Sequence, residues 1–190
     1  MSIVRIEEDR TASIDRANKL LAGISGGAWK AAKNAVDRAA ATAKTRAGQF
    51  AASEYTVNKG DFMGNVRVST KVDSSGGSAV SVDVGFFGKV LPLLTFNTRL
   101  SKDGQITTQV KRNGGAATLQ HAFAERVFGQ IAVFERVGTP RFPVEQKFGP
   151  STAHMMQNEQ VVEKMDEAIR DTFEKRMEHE VTRILNGWGR

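Results

Sequence analysis

Residues 131–156, which read IAVFERVGTPRFPVEQKFGPSTAHMM, lie where two kinds of predicted structure meet. Strand-like sequence precedes them, and one long helical pattern follows them. Three of the chain's four prolines fall here, at Pro140, Pro143 and Pro150. A proline fixes its own φ and restricts the residue before it, so these prolines set the path of the chain. The stretch therefore predicts a fixed joint between a sheet and the final helix.

The sequence before this stretch predicts a long helix and then a sheet. Residues 11–53 repeat apolar or small residues at steps of three and four and are rich in alanine, which indicates a helix. Gly23, Gly26 and Gly27 leave open whether this helix is continuous or split. Over residues 54–112 the period is two and turn signals separate the segments, the first of them at residues 58–61. This pattern predicts an antiparallel β-meander with one polar face.

Residues 99–112 form the most polar part of the predicted meander. An Asp103–Gly104 turn joins Arg99 and Lys102 to a segment in which Thr and Gln alternate with few large apolar residues. Such a strand pair does not need a core on either face, so the segment predicts a projecting hairpin. The alternative is an exposed edge of the sheet.

The remaining segments complete the predicted fold. Residues 117–128 indicate a short amphipathic helix, residues 130–148 indicate strands, and residues 151–186 indicate the final helix. Ser151 or Thr152 caps the final helix, and a glycine at position 187 stops it. The predicted fold class is α+β. It has a long N-terminal helix, an antiparallel β-meander with a projecting hairpin, and a long C-terminal helix packed on the sheet, in one domain of residues 1–190.

Composition and charge narrow the class of protein. The chain has no cysteine, no signal-peptide pattern and no apolar run of the roughly 18 residues that a membrane span needs. Its net charge is +6, and the excess of cations lies before residue 154, whereas residues 154–190 hold more acids than bases. We favour the interpretation that acidic and basic surfaces meet within the fold or an oligomer. The alternative is a surface that faces a polyanion.

No catalytic or metal-binding arrangement is recognisable in the sequence. His121, His154 and His179 lie in different predicted elements, and without cysteine they form no ligand set. Phosphate-binding, dinucleotide-binding and nucleophile motifs are also missing from the sequence. We therefore expect a protein that is not an enzyme and needs no cofactor.

The same stretch carries a family resemblance. Residues 133–138, 141–144 and 148–151, preceded by Ala122–Phe123 and by Phe128–Gly129, resemble the prophage minor tail protein Z family. The Ala-rich first helix that ends before Tyr55 also resembles this family, and the likeness extends over nearly the whole chain. What the resemblance implies is a structural protein that completes the head-proximal end of a long phage tail.

The resemblance also implies partners and a location. Such a protein helps to join head to tail and to place the DNA end. Its partners are other tail and head-connector proteins and further copies of itself in a ring, although the chain can be a monomer in solution. Non-specific contact with phage DNA is a further contact that the resemblance allows, and no membrane is involved. It belongs in the virion tail after assembly in the host cytoplasm. The alternative function, which the net charge raises, is a non-sequence-specific nucleic-acid-binding protein.

Two sets of residues are candidates for these contacts. Arg136, Arg141, Phe142 and Phe148 are the candidate assembly interface. For the two phenylalanines we favour the alternative of packing under the final helix. The candidates for facing DNA or a neighbouring subunit are Arg99, Lys102, Lys111 and Arg112, and the alternative for these four residues is a solvated hairpin.

Overall fold

The computed structural model describes residues 2–7, 12–73, 81–127 and 129–187. The fold is α+β, as predicted. Residue 11 and Phe128, which bound two of the predicted helices, lie outside the described residues. In chain order the elements are β1 (Ser2–Glu7), α1 (Ala12–Leu20), α2 (Gly27–Glu54), α3 (Lys59–Asn65), β2 (Val66–Asp73), β3 (Ser81–Gly88), β4 (Val90–Pro92), a 3-10 turn (Leu93–Thr95), β5 (Asn97–Leu100), β6 (Ile106–Gln109), β7 (Ala117–Leu119), β8 (Ala122–Val127), β9 (Gln130–Arg136), β10 (Val144–Gln146), β11 (Phe148–Ser151), α4 (Thr152–Met155) and α5 (Glu159–Leu185).

The chain divides into two compact units. The sheet unit comprises Gly48–Arg67 and Phe87–Val161, and the helical unit comprises Ser2–Ala47, Val68–Phe86 and Val162–Arg190. The helical unit contains a three-stranded sheet in the order β1-β3-β2, and the sheet unit contains the sheets β5-β6-β7, β10-β9-β8 and β11-β4. None of the helices within the described ranges combines the length and the apolar character that a bilayer crossing requires.

Small side chains of α2 and large side chains of α5 build the core of the helical unit. On α2 the buried stripe includes Ala31, Ala35 and Ala39, and on α5 it includes Phe173 and Met177. Because alanine has a short side chain, α5 can pack closely on α2. Each large side chain that is fully buried contributes about 1.5–3 kcal/mol to folding. The helical periodicity of both segments, visible in the sequence, therefore marks real packing faces.

The N-terminal helical segment, which the sequence left as either continuous or split, forms two helices. α1 ends at Leu20, a turn covers residues 21–26, and α2 begins at Gly27. Gly26 has a φ of 69°, in the left-handed region that glycine adopts without steric cost. This conformation is incompatible with an uninterrupted α-helix, so the glycines separate the two segments.

The predicted meander is present only in part, because residues 54–112 do not form consecutive strands. Where a turn was predicted at residues 58–61, the chain forms α3. Asn58 caps this helix, since its Oδ1 accepts a hydrogen bond from the Asp61 N–H at 2.8 Å. Phe62 on α3 is fully buried. The cap and the buried ring stabilise a seven-residue helix that the surrounding period of two concealed.

The prediction of a short helix over residues 117–128 is wrong, because the described part of this segment forms β7 and β8. All six residues of β8 pair antiparallel with β9. Ala122 and Ala124 pack against a buried cluster that includes Val133, so the inward-facing residues recur with a period of two. This ladder and this burial outweigh the helix propensity of alanine.

The predicted hairpin is formed by β5 and β6, with Thr98 opposite Thr108 and Leu100 opposite Ile106. Its tip, residues 101–105, is exposed. Ile106 and Thr108 are buried, and the Thr108 hydroxyl lies 2.9 Å from the hydroxyl of Thr98. One face of the hairpin is thus anchored in the core, whereas the tip and Asn97, Arg99 and Leu100 of β5 are exposed to solvent.

The final helix is divided, which the sequence prediction of residues 151–186 missed. Ser151 caps α4, since its Oγ accepts a hydrogen bond from the His154 N–H at 3.1 Å. Residues 156–158 interrupt the helix, and the Asn158 Oδ1 then accepts a hydrogen bond from the Gln160 N–H at 3.0 Å, near the start of α5. Gly187, with a φ of 75°, follows the end of α5, as expected for a C-terminal glycine stop.

Glu180 joins α5 to α2 and gives a stability contribution that depends on pH. Burial raises the pKa of its carboxyl, but hydrogen bonds from Asn34 and Arg183 outweigh burial, so the pKa lies below its ordinary value. A carboxyl whose pKa is lower in the folded than in the unfolded state stabilises the folded chain at pH values above its unfolded-state pKa. That contribution to the free energy of unfolding is lost as the pH falls through the folded-state pKa. We expect Glu180→Gln to lower the free energy of unfolding by about 1 kcal/mol at neutral pH.

Urea titrations of the parent chain and of Glu180→Gln at neutral pH and at roughly pH 3 measure this effect. The difference in unfolding free energy between the two chains should shrink at the lower pH. Glu178→Gln is the matched control, because the Glu178 side chain is 75% exposed. An equal difference at both pH values would contradict the electrostatic origin.

Candidate assembly interface

The outward face of the β10-β9-β8 sheet carries aromatic side chains where a surface sheet usually carries polar ones. The register places Phe123 of β8 directly opposite Phe134 of β9. It also places Val144 of β10 opposite Arg136 of β9. Because directly opposed residues of an antiparallel pair share a face, these four side chains lie on the same side of the sheet. We call this side the aromatic face.

The other side of the same sheet belongs to the core. Val133 of β9 is 1% exposed and packs with Leu93 and Ile106, and Ala122 and Ala124 of β8 join this cluster. With the core on one side, the aromatic face is left toward solvent. A sheet of this kind normally shows an alternation of apolar inward and polar outward residues. β8 and β9 depart from that alternation at both phenylalanines.

The aromatic face is organised by stacked rings and guanidinium groups. The ring centroids of Phe123 and Phe134 are 5.9 Å apart with an interplanar angle of 26°. The guanidinium carbon of Arg136 lies 4.8 Å from the centroid of the Phe123 ring, and that of Arg141 lies 5.7 Å from the centroid of the Phe142 ring. Such cation–π contacts hold the arginine side chains in place while their N–H edges can still donate hydrogen bonds.

These side chains enclose an open concavity of about 460 Å³. Phe142, which is 66% exposed, stands at its rim. The chemistry of the concavity is an apolar floor with two cations and one carboxylate around it, which suits a protein segment carrying apolar and acidic side chains. Its lining residues are Phe123, Glu125, Val127, Phe134, Arg136, Arg141, Phe142 and Val144.

The loop between β9 and β10 positions Arg141 and Phe142. The Val137 N–H donates a hydrogen bond to the Pro143 carbonyl at 3.1 Å, which closes the loop. Gly138 has a φ of 145°, which glycine tolerates best, and the peptide bond between Phe142 and Pro143 is cis. The proline-marked joint recognised in the sequence thus forms one wall of the concavity.

The structure brings together three of the four residues predicted for assembly, Arg136, Arg141 and Phe142. Phe148 lies apart from them on β11, opposite Pro92 of β4. Packing under the final helix, the interpretation favoured for the two phenylalanines, is wrong, because Phe142 is 66% and Phe148 46% exposed. A role of Phe148 in assembly stays a prediction.

Phe123 and Phe134 were not among the predicted site residues. Phe123 was assigned to the wrongly predicted helix, where its position gave no reason to place it beside Phe134. The signal that could have found the pair is the alternation of Ala122, Ala124 and Arg126 with Phe123 and Glu125. Read with a period of two, it describes a strand with one small and one aromatic side.

A salt bridge on the core side of the sheet fixes β10 to β9. The Lys147 Nζ lies 2.5 Å from the Glu135 Oε2, and the Lys147 N–H donates a hydrogen bond to the Val133 carbonyl at 2.8 Å. The hydrogen bond with Glu135 raises the pKa of Lys147 above its ordinary value, against a smaller opposing effect of burial. Lys147 therefore stays charged, and it holds the short strand β10 in register.

The four basic residues of the hairpin region are all exposed, and one of them has a structural contact. The Arg112 Nε donates a hydrogen bond of 2.7 Å to the Ala52 carbonyl, and the Arg112 N–H donates one of 2.8 Å to the Glu54 carbonyl. Both carbonyls belong to the last turn of α2, where a cation is favourable. Arg112 thus caps α2, whereas a role of Arg99, Lys102 and Lys111 toward DNA or a neighbour stays a prediction.

We expect Arg112→Ala to lower the free energy of unfolding by about 0.5–1 kcal/mol, because the last turn of α2 loses a cation and a hydrogen bond. Lys111→Ala, which removes an equal charge from the adjacent exposed position, should leave that free energy within about 0.3 kcal/mol of the parent. Urea titrations of both variants check this. An equal loss in the two variants would show that net charge, and not the cap, is responsible.

Within the described ranges, no three side chains of histidine, aspartate or glutamate converge as metal ligands would. His121 and His154 are both exposed, the first in the turn before β8 and the second in α4. What the described residues do offer is the aromatic face, an apolar surface that carries two arginines.

Residues 13–187 match the family model described as prophage minor tail protein Z (GPZ). The matched range includes residues of both compact units and the whole aromatic face. No curated protein and no solved structure matches the chain.

Proposed function

Because the chain belongs to the prophage minor tail protein Z family, we propose that it completes the head-proximal end of a long tail, helping to join head to tail and to place the DNA end. The family membership itself makes the chain a minor tail protein, a structural component of the virion tail. The match over residues 13–187 is the observation that carries the proposal, since a structural family of this kind acts through protein contacts.

The aromatic face supports a role in assembly. Phenylalanine and arginine are enriched, and lysine is depleted, in the buried centres of protein interfaces. The concavity combines Phe142 and Phe134 with Arg136 and Arg141, and its rim is exposed enough to reach a partner. We propose that a neighbouring virion protein, or another copy of this chain in a ring, covers this face in the completed tail.

The charge distribution supports passage of DNA close to the chain. The net charge is +6, and Arg99, Lys102 and Lys111 are exposed in or beside the hairpin. Contacts of lysine and arginine with phosphates require no particular base sequence. We propose that the exposed hairpin tip faces the channel through which the DNA end passes. Free-standing nucleic-acid binding, the alternative function, gains no support from the family match.

A complementation experiment tests the proposed function. Tails assembled without this protein are mixed with filled heads, with and without the purified full chain. Particles that join head to tail are counted by electron microscopy, and DNA delivery is measured as the infectious titre. We expect the chain to restore both. Equal numbers of joined particles with and without the chain would overturn head–tail joining. Restored joining without restored titre would overturn the role in placing the DNA end.

A further inference from the structure

The β10-β9-β8 sheet ends on both sides in a strand whose outer main-chain groups have no strand beside them among the described residues. On the β8 side, the hydrogen bond from the Arg136 N–H to the His121 carbonyl, 3.4 Å long, fixes which residues pair with β9. Antiparallel partners alternate between hydrogen-bonded and non-hydrogen-bonded pairs. Phe123 and Glu125 therefore bond to β9, and the main-chain groups of Ala122 and Ala124 point outward.

The geometry of Arg126 agrees with this assignment. Its main-chain N–H donates a hydrogen bond of 3.1 Å to the side chain of Glu125 and not to β9. Arg126 is therefore the third outward-pointing residue of β8. Its side chain is exposed, as are those of Glu125 and Val127. The outer edge of β8 is consequently short, carries two small residues and ends in a cation.

The outer edge of β10 follows from the same reasoning. The Val137 N–H bonds to the Pro143 carbonyl at 3.1 Å, and the Lys147 N–H bonds to the Val133 carbonyl at 2.8 Å. The alternation then makes Glu145 bond to β9, so the main-chain groups of Val144 and Gln146 point outward. The sheet thus presents one open edge with an arginine and another open edge with an exposed glutamate at Glu145.

We propose that the β8 edge of one copy pairs with the β10 edge of the next copy of this chain. The pairing rests on the proposed role of the chain at the tail end and specifies how its copies contact one another. β8 and β10 both run antiparallel to β9 and hence parallel to each other. A copy added in the same orientation therefore meets β8 with a parallel β10. The contact joins two different surfaces, and contacts of this kind close into rings when the rotation between copies permits.

One register of this pairing gives favourable side-chain pairs on both faces of the extended sheet. If Arg126 lies opposite Glu145 of the next copy, opposite charges meet on the side of the sheet that carries Ala124. The same offset places Phe123 opposite Phe142 of the next copy on the aromatic face. Opposite charges and aromatic pairs directly across a strand pair are both stabilising. The pairing also joins the aromatic faces of successive copies into one surface.

A second copy is a better occupant of these edges than an unrelated strand for two physical reasons. The register brings the positive Arg126 of one edge opposite the negative Glu145 of the other. It also keeps the aromatic faces of both copies on the same side of the extended sheet. Pro143 does not obstruct the contact, because its carbonyl, and with it its main-chain side, is directed to β9. Natural sheets usually block open edges with lysine or proline, and Ala122 and Ala124 do neither.

Engineered disulfides test the pairing directly, because the chain contains no cysteine. The variant carries Arg126→Cys and Glu145→Cys. Within one copy Arg126 lies opposite Ile131 of β9 and Glu145 lies opposite Glu135. Two strand spacings and four residues along β9 put the two positions roughly 16 Å apart, beyond the reach of a disulfide. Diamide, which takes up the two thiol hydrogens, is applied to the purified full chain at high concentration and to tails completed with the variant. We expect most of the monomer to convert into a ladder of covalent multimers on a non-reducing gel.

The matched control carries Glu125→Cys and Glu145→Cys. Glu125 and Glu145 lie on opposite faces of the sheet, so this pair should stay monomeric under the same oxidation. A monomeric Arg126→Cys, Glu145→Cys variant in tails that it completes would overturn the pairing and leave the proposed function intact. Covalent dimers of Arg126→Cys alone would also overturn it, because they indicate β8 meeting β8.

Failure of the proposed function has a different signature. If the parent chain does not complete tails, the oxidation of the concentrated chain decides the pairing by itself. A ladder there supports the pairing without the tail role, and a monomer there overturns both. The gel reports whether copies pair, and the titre of the parent chain reports whether the chain completes tails. Failure of the pairing and failure of the proposed function are therefore distinguishable.

Discussion

Gly149→Ala is expected to lower the free energy of unfolding by about 2–3 kcal/mol. A Cβ at this position would lie 2.2 Å from Cε2 and 2.8 Å from Cδ2 of the Phe96 ring. Phe96 is 4% exposed, so its ring has little room to move away. The strand β11 would have to shift from β4, or the Phe96 ring would have to leave its rotamer, and either change costs packing energy.

Urea titration measures this effect, and Gly64→Ala is the matched control. A Cβ on Gly64 would meet nothing within 4 Å, and Gly64 lies inside α3. Because alanine favours a helix over glycine, this control should be neutral or gain up to about 1 kcal/mol. A loss in Gly149→Ala no larger than about 0.5 kcal/mol would show that β11 accommodates the methyl group and would contradict the close approach.

The role of Gly149 gives a physical reason for part of the family resemblance. The Gly-Pro-Ser run at residues 149–151 needs no side chain at its first position because Phe96 occupies that space. Its third position caps α4 through the Ser151 hydroxyl. A cap is a local interaction, and it could be predicted from the sequence. The approach of Phe96 brings together residues far apart in the chain, and no local pattern reports it.

The long elements were predictable because their signals are local and repeated. α2 and α5 show the helical period over many turns, and β9 shows the alternation of a strand together with a turn at Gly138. Short elements were decided by tertiary contacts instead. Residues 117–128 have a composition that favours a helix, but the ladder with β9 and the burial of Ala122 make part of them a strand.

Only one wall of the concavity, the one formed by the residues near the prolines, could be predicted from the sequence. Arg136, Arg141 and Phe142 lie near the prolines that drew attention to the stretch, and the structure places them around one concavity. The other wall comes from β8, whose strand character the sequence reading missed. Arg112 shows the converse case, because a basic residue in a polar hairpin suggested a solvent or DNA contact. Its guanidinium instead meets the last turn of α2, 60 residues earlier in the chain.

Phe142→Ala is expected to reduce head–tail joining in the complementation experiment about 30-fold while leaving the fold intact. Truncation of an aromatic side chain at the centre of an interface typically costs about 2 kcal/mol of binding, which corresponds to this factor. Phe142 is 66% exposed, so its removal takes little packing from the folded chain. It does remove the ring beneath the Arg141 guanidinium and the ring proposed to meet Phe123 of the next copy.

Phe148→Ala separates this effect from a general need for exposed aromatic residues. Phe148 belongs to the same compact unit and is 46% exposed, but it does not line the concavity. If the concavity alone is the assembly surface, joined particles counted by electron microscopy should be as frequent with Phe148→Ala as with the parent chain, and Phe148 then has no role in assembly. Urea titration should find both variants folded. Equal joining by Phe142→Ala and the parent would exclude the concavity as the assembly surface. Equal loss in both variants would mean that the surface extends beyond the concavity to β11. The pair of variants therefore tests where on the sheet unit the partner binds, since both remove the same side chain and differ only in its position.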